Sequence, residues 1–288
     1  RRSTARGSAA AVLEAFETVA TGLDHPEGVA RGPDGGLYAG GEAGQVYRIE
    51  ADGSVRERAS TGGFVYGVVV DGTGNVYACD FGNASVMRIT PRGEVTPHSS
   101  GTSERPMRVP NFAAFDDAGN LKVTDSGEWG DDDGLIYRIT PEGTTVVWSE
   151  GAPRFPNGCC LDAEGGALLV VESRGRVVVR IPLGDDGSAG APSTVVDLTG
   201  SQPDGIALAE DGTMFVGCYR PDRIYRVDPD GGVGVFAEDP DGVVLNQPAN
   251  VAFAGDRLDR LVVSSLGGWS LVAADAGVRG LPLRYPVF

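Results

Sequence analysis

Short apolar runs alternate with clusters of Gly, Asp and Pro along the chain, and no stretch keeps the 3.6-residue period of an amphipathic helix. The runs last about five residues and are rich in Val, Ile and Tyr, as in Val65–Val70 and Leu135–Ile139. Turn sequences such as DGTG at 71–74 separate them and are typical of β-hairpins. The pattern predicts an all-β fold of short antiparallel strands.

One hairpin unit recurs six times. It has a β-prone run, an Asp/Gly turn, a second run, a loop and a third run, which ends in Arg-Ile or Arg-Val in the first five copies. The units start at Glu27, Tyr66, Asn111, Asn157, Asp204 and Ala249. Spacings of 39, 45, 46, 47 and 45 residues fit four-stranded antiparallel blades. The repeat predicts a six-bladed β-propeller.

The ends of the chain are predicted to meet in the last blade. The strand-like run Phe16–Ala20 precedes the first unit and has no blade of its own, so we expect it to form the outer strand of blade six. Because such repeats bury their faces only against neighbours, residues 16–288 are predicted to form a single domain. Residues 1–15 are predicted to be a flexible tail.

The first residues of the inner strands should converge at one mouth of the central channel. Four of the six unit starts carry oxygen donors, namely Glu27, Asn111, Asn157 and Asp204. Carboxylate and amide oxygens suit Ca²⁺ or another hard divalent cation, whereas the two histidines of the chain argue against zinc. The alternative is that these polar residues simply line a water-filled channel.

The composition of the chain limits the classes of molecule that it is expected to bind. The chain has 40 acidic and 24 basic residues, a net charge of −16, which disfavours nucleic acid and anionic membranes. The four cysteines fit no metal or redox spacing and are interpreted as free thiols of a cytoplasmic protein. We therefore expect a small-molecule substrate and a monomer or weak homo-oligomer.

The motifs Pro-Glu-Gly at 26–28, Pro-Asn-Gly at 156–158 and Pro-Asp-Gly at 203–205 stand in this repeat register. They resemble the senescence-marker-protein/gluconolactonase family of calcium-dependent propellers, which also contains diisopropylfluorophosphatase, and the resemblance covers about residues 16–288. It implies that Glu27, Asn157 and Asp204 hold Ca²⁺, with Asp204 as base or nucleophile. In the phosphatase branch, a residue matching Asn111 is a further ligand. The implied function is calcium-dependent hydrolysis of lactones or related esters.

Two departures from the family separate its activities. Ala249 stands where the phosphatase branch has a histidine, which argues against that activity. Val109 stands where the lactonase branch has an arginine, which argues against sugar-acid lactones. Alternative functions are a biosynthetic cyclase, isomerase or hydratase on the same metal site, and a non-catalytic NHL-like binding scaffold.

Substrate contacts are predicted beside the ring of unit starts, each with a competing structural role. The aromatic residues could stack on a ligand or pack in the core. Arg108 could bind a substrate anion or be a surface residue at a blade edge. Asp125 could orient the inner ligands or bind a second cation, or it could seal turn N–H groups. Trp129 lies in the acidic 128–134 loop, which is a lid, a peripheral cation site or a solvated charge run. The predicted substrate-binding residues are Tyr66, Arg108, Phe112, Asp125 and Trp129.

Overall fold

The computed structural model describes residues 13–288 as 24 strands in six four-stranded antiparallel sheets, which confirms the six-bladed β-propeller. Blade 1 contains β2 (Val29–Arg31), β3 (Leu37–Gly40), β4 (Gln45–Ile49) and β5 (Val55–Ser60). Blade 2 contains β6 (Val65–Val70), β7 (Val76–Asp80), β8 (Ser85–Ile89) and β9 (Val95–Ser99). Blade 3 contains β10 (Pro110–Phe115), β11 (Leu121–Asp125), β12 (Leu135–Ile139) and β13 (Thr145–Ser149).

The remaining blades follow the same order, except for the seam. Blade 4 contains β14 (Pro156–Leu161), β15 (Ala167–Glu172), β16 (Val177–Pro182) and β17 (Ser193–Asp197). Blade 5 contains β18 (Gln202–Leu208), β19 (Met214–Arg220), β20 (Asp222–Val227) and β21 (Val233–Glu238). Blade 6 contains β22 (Pro248–Ala254), β23 (Arg260–Ser265), β24 (Ser270–Asp275) and the N-terminal β1 (Glu17–Thr21).

The N-terminal strand closes the ring as predicted. β1 pairs antiparallel with β24, with Glu17 opposite Ala273 and Thr21 opposite Ser270. The predicted tail, residues 1–15, falls largely outside the described residues. Within the described part, Leu13 and Phe16 already pack against the apolar cluster between blades 5 and 6.

The apolar core is divided into six clusters, one at each interface between adjacent blades. The cluster between blades 3 and 4, for example, joins Ile136 and Trp148 to Leu168 and Val170. Each sheet therefore buries side chains from both faces against its two neighbours, because a single four-stranded sheet cannot bury them alone.

In four of the six units, glycine follows the unit start, because the inner strands of adjacent blades approach each other closely there. A Cβ on Gly28 would lie 2.4 Å from the backbone oxygen of Tyr66, and one on Gly158 would lie 2.7 Å from that of Asp204. Only glycine fits such an approach. The Pro-X-Gly motif thus places consecutive X residues on touching strands around one mouth of the channel.

The C-terminal segment crosses the opposite end of the channel, where the turns between the two inner strands of each blade lie. Hydrogen bonds tie it to blades 5, 1 and 2: Leu281 N to Leu208 O (2.8 Å), Tyr285 Oη to Arg31 O (2.8 Å), and Gly72 N to Pro286 O (2.7 Å). Leu281 and Leu283 help to line an apolar cavity of about 130 Å³ inside the channel. The C-terminal segment therefore leaves the mouth that carries the ring of unit starts uncovered.

Within residues 13–288, no helix is both long and apolar enough to cross a membrane.

Candidate functional site

The six unit starts lie side by side at the open mouth. Backbone contacts link neighbouring inner strands, and Ser264 Oγ donates a hydrogen bond to Glu27 O (2.6 Å) across the seam between blades 6 and 1. Between blades 3 and 4, Thr124 Oγ1 donates to Asn157 O (2.8 Å). These bonds hold the backbone of the ring, so its side chains project from a rigid support.

Serine hydroxyls orient the two asparagine amides. Asn111 Nδ2 donates to Ser126 Oγ (3.0 Å), whose own proton goes to Pro156 O (2.7 Å). Asn157 Nδ2 donates to Ser173 Oγ in the same way (3.1 Å). With each NH₂ group held at the wall, the amide oxygens Oδ1 are turned away from these serines and left as donors to a cation.

Two buried oxygens at the ring have no hydrogen-bond partner among the described residues: Asn157 Oδ1 and Asp204 Oδ1. Asn157 is 4% exposed and Asp204 5%, so their groups are nearly cut off from bulk water. An unpartnered buried oxygen costs about 1–3 kcal/mol. Two such oxygens lie in adjacent ring positions, where both are available to bind a cation.

Glu27 and Asp204 repel each other. Burial and the nearby Asp204 charge raise the pKa of Glu27 well above its usual range. Burial raises the pKa of Asp204 to about 7, and the Asn157 amide offsets part of that rise. Neither carboxylate forms an ion pair with any residue between 13 and 288. A divalent cation would relieve both effects, and the hard oxygen donors present suit one.

Two tyrosines flank these carboxylates. Burial, reinforced by the charges of Glu27 and Asp204, raises the pKa of Tyr66 strongly. Burial and the same two charges raise the pKa of Tyr219 to about 12. Both phenols stay protonated at neutral pH and can donate hydrogen bonds into the mouth. Tyr66 is one of the unit starts and was a predicted contact, whereas Tyr219 was missed because it lies near the end of β19 and not at a unit start.

Asp125 lies at the end of β11, and its carboxylate is engaged within the protein. It accepts backbone N–H bonds from Arg108 (2.8 Å), Val109 (3.0 Å) and Gly127 (3.3 Å). Glu172 does the same in blade 4, where it binds Arg154 N (2.7 Å) and the Arg154 guanidinium. These contacts favour the turn-sealing role over substrate binding for Asp125.

Arg108 is likewise engaged within the protein. Its guanidinium pairs with Asp133 Oδ2 (2.7 Å) in the acidic loop 128–134. Arg174 of the next blade pairs with Asp132 and donates to Asp131 O (3.0 Å). The loop is therefore fixed between two arginines as part of the rim. Trp129 on this loop is 42% exposed and packs edge-on against Phe155 at 4.8 Å.

Phe112 is 8% exposed and belongs to the apolar cluster between blades 3 and 4. It occupies the position that glycine takes in the Pro-X-Gly units, and it packs close to Gly67 of blade 2. The structure thus favours core packing for Phe112 over contact with a substrate.

A second group of titratable side chains lies on the rim of the mouth. His25 Nδ1 is 3.0 Å from Asp24 Oδ1 and 2.8 Å from Glu42 Oε2. Asp24 Oδ2 also accepts from Ala43 N and Gln45 Nε2, each at 3.1 Å. These partners within the protein account for the group, unlike the unpartnered oxygens of the inner ring.

Sequence comparison identifies the family. Residues 42–267, more than three quarters of the chain, match the SMP-30/gluconolactonase/LRE-like region. The chain belongs to this family. Residues 10–49, which include Glu27, match the N-terminal part of strictosidine synthase-like proteins. No curated protein matches the sequence.

Solved structures of other proteins have the same propeller fold as this chain. A Xanthomonas campestris gluconolactonase has a TM-score of 0.78 at 18% identity, covering 90% of this chain and 89% of its own. The calcium-binding regucalcin of Agrobacterium tumefaciens has a TM-score of 0.78 at 17% identity, covering 94% and 96%. Virginiamycin B lyase of Staphylococcus aureus has a TM-score of 0.65 at 18% identity, covering 94% and 88%. At these identities the likeness establishes the fold, and the reaction must be argued from the site.

The repulsion between Glu27 and Asp204 predicts an unusual pH dependence of stability for the chelated protein. Both folded-state pKa values are raised, so the folded state binds more protons than the unfolded state from about pH 5 up to neutrality. The free energy of unfolding should therefore fall by a few kcal/mol as the pH rises through this window. Denaturant unfolding in chelator at pH 5 to 8 measures it.

The double variant Glu27→Gln/Asp204→Asn is the control for this pH dependence. Half-buried His98 has a pKa lowered by desolvation and contributes the opposite slope, but it does so equally in both proteins. If the difference in free energy of unfolding between wild type and double variant does not change with pH, that result would contradict the proximity of the two carboxylates.

Proposed function

We propose that this protein is a calcium-dependent hydrolase of lactones or related esters. The observation that supports it most is the pair of unpartnered buried oxygens, Asn157 Oδ1 and Asp204 Oδ1, beside the half-buried Glu27. A scaffold has no need of such a costly arrangement at a solvent-facing mouth, whereas metal-dependent catalysis does.

The donor set fits Ca²⁺. Glu27, Asn157 and Asp204 would hold the ion, and Asn111 presents a further oriented amide oxygen in the next ring position. All four donors are oxygens, and the two carboxylates carry two formal negative charges. None of the donors is a sulfur or an imidazole nitrogen. When bound, the cation supplies positive charge that polarises a substrate carbonyl and stabilises the oxyanion formed from it.

Asp204 is assigned the proton transfer. Its carboxylate can take a proton from a water molecule as the water oxygen attacks the lactone carbonyl carbon. When the ring C–O bond breaks, the leaving alkoxide recovers that proton, and the product is a hydroxy acid. Tyr66 and Tyr219 keep their protons at neutral pH and can orient the substrate by donating hydrogen bonds.

A panel of lactones tested with and without chelator examines this function. We expect hydrolysis of at least one of δ-valerolactone, dihydrocoumarin and glucono-δ-lactone, loss of at least 100-fold in activity with excess EGTA, and recovery on adding Ca²⁺. Hydrolysis that is unaffected by chelator would contradict the proposed mechanism. Calcium binding without turnover of any ester would favour a biosynthetic reaction at the same site, and absence of both would favour a scaffold.

A further inference from the structure

Exposed aromatic side chains are concentrated at the open mouth. Phe81, Trp129 and Trp269 are 40%, 42% and 48% exposed, and lie in the loops β7–β8, β11–β12 and β23–β24. These loops all lie at the end of the blades where the ring of unit starts lies. Among residues 13–288, the other large apolar side chains that are exposed are aliphatic, apart from Phe288 at the end of the chain. Burial of a partner explains such a distribution better than chance does.

Each exposed ring packs on a side chain that belongs to the ring of unit starts or precedes it by two residues. Phe81 stacks on Tyr66 with centroids 5.4 Å apart and planes at 9°. Trp269 lies 4.7 Å from the ring of His25, two residues before Glu27. Trp129 packs on Phe155 in the same way, two residues before Asn157. The three aromatic pairs thus lie at the mouth, next in sequence to the ring of unit starts or within it.

The backbone holds these side chains in uncommon conformations. Trp269, Phe155 and His25 have φ values of +54°, +60° and +42°, in the left-handed region that bulky residues rarely adopt. Leu23 N donates to Trp269 O (3.1 Å), which fixes that loop against the seam. Such strain persists where the surrounding structure enforces it, and it is concentrated at ligand-binding sites.

The polar groups of the rim are largely engaged with one another. Arg154 pairs with Glu172 (2.9 Å), Arg108 with Asp133, and Arg174 with Asp132. A polyhydroxylated substrate would need free donors and acceptors along these walls. A flat apolar group needs only the exposed aromatic faces.

We propose that the mouth binds a planar aromatic group of the substrate, so that aryl lactones and aryl esters are preferred over aliphatic and sugar-acid lactones. The carbonyl would lie toward the metal site and the aromatic group between the Tyr66/Phe81 pair and Trp269. This specificity rests on the proposed hydrolase function and concerns the same site.

Matched δ-lactones test the specificity. Dihydrocoumarin is δ-valerolactone fused to a benzene ring, and its phenolate is also the better leaving group. Because the leaving groups are the same for every variant, the change in the ratio of the two kcat/KM values on mutation reports the contribution of the aromatic walls. In Phe81→Ala and in Trp269→Ala, this ratio should fall about tenfold, whereas Phe288→Ala, an exposed aromatic at the opposite end, should leave it within twofold. A fall of less than threefold in both mouth variants would overturn the proposal.

A binding experiment with lactams tests this specificity independently of the proposed hydrolysis. The lactams 3,4-dihydro-2-quinolinone and δ-valerolactam have the same ring systems and are not turned over under these conditions, and titration calorimetry gives their Kd values. We expect the bicyclic lactam to bind at least tenfold more tightly, and this preference to be lost in Phe81→Ala and Trp269→Ala but kept in Phe288→Ala. If neither lactone is hydrolysed but this preference holds, the hydrolase function fails and the aromatic site stands. Equal affinities in wild type would overturn the aromatic site.

Discussion

Asp204→Asn is expected to lower kcat for lactone hydrolysis by about a thousandfold while the protein stays folded. The substitution keeps the size of the side chain and one oxygen, but an amide cannot take up the proton of the attacking water. Because Asp204 is also assigned to the metal, the rate is measured at Ca²⁺ concentrations that saturate the variant. A loss that vanishes at high Ca²⁺ would show that Asp204 only binds metal.

Asp239→Asn is a matched control for this loss. Asp239 is also a buried aspartate, 3% exposed, but it accepts backbone N–H bonds from Val244 (2.6 Å) and Leu245 (2.9 Å) after the outer strand of blade 5. Its replacement should lower Tm and leave kcat within about threefold. If the two variants lose activity equally, the loss reports folding, and Asp204 has no special role in the reaction.

Lys122→Met is expected to lower the free energy of unfolding by about 4 kcal/mol, or Tm by roughly 10 °C. Lys122, the single lysine of the sequence, is completely buried, and its ammonium pairs with Asp116. It also lies 5.2 Å above the ring of Trp148. Methionine fills most of the same volume but leaves the Asp116 carboxylate buried without its cation.

Arg260→Met provides the comparison for the buried pair. Arg260 pairs with Glu17 across the seam of blade 6 at 2.9 Å, with side chains 39% and 72% exposed. Solvent screens such a pair, so its loss should cost less than about 1 kcal/mol. Thermal and denaturant unfolding of both variants measure the difference. Similar small losses in the two proteins would mean that burial of Lys122 contributes little to stability.

The sequence predicted the blades and the ring because both depend on a repeat. Turn sequences and spacing located the inner strands, and the Pro-X-Gly motif located the positions where these strands touch. Glycine follows the unit start in four of the six units, where the neighbouring strand leaves no room for a side chain, whereas Phe112 fills that slot in blade 3 and packs between blades.

Loops without a period were much harder to predict. Phe81 and Trp269 lie in loops of different sequence, so the repeat does not predict that both are at the mouth. Tyr219 lies near the end of β19 and not at a unit start, so the repeat does not single it out either. The crossing of the channel by the C-terminal segment depends on single contacts, such as that of Tyr285 with Arg31 O. Such contacts depend on partners that are far apart in the sequence, so composition and periodicity do not predict them.

Carboxylates at the ends of β11 and β15, the second strands of their blades, illustrate the same limit. Asp125 and Glu172 have the residue types of metal or substrate ligands, yet their oxygens are taken up by nearby backbone N–H groups. Sequence alone shows that a carboxylate is near the mouth, whereas only the structure shows whether its lone pairs are free. By that criterion, Asn157 and Asp204 are distinguished from the other polar residues of the rim.

Calorimetric titration of the metal-free protein with Ca²⁺ tests the proposed metal site most directly. We expect one ion per chain in wild type and in Glu42→Gln, which alters only the outer Asp24–His25–Glu42 group. The double variant Glu27→Gln/Asp204→Asn should show no binding. Absence of binding in wild type, or a site that survives the double replacement and is lost in Glu42→Gln, would contradict a calcium centre at the channel mouth.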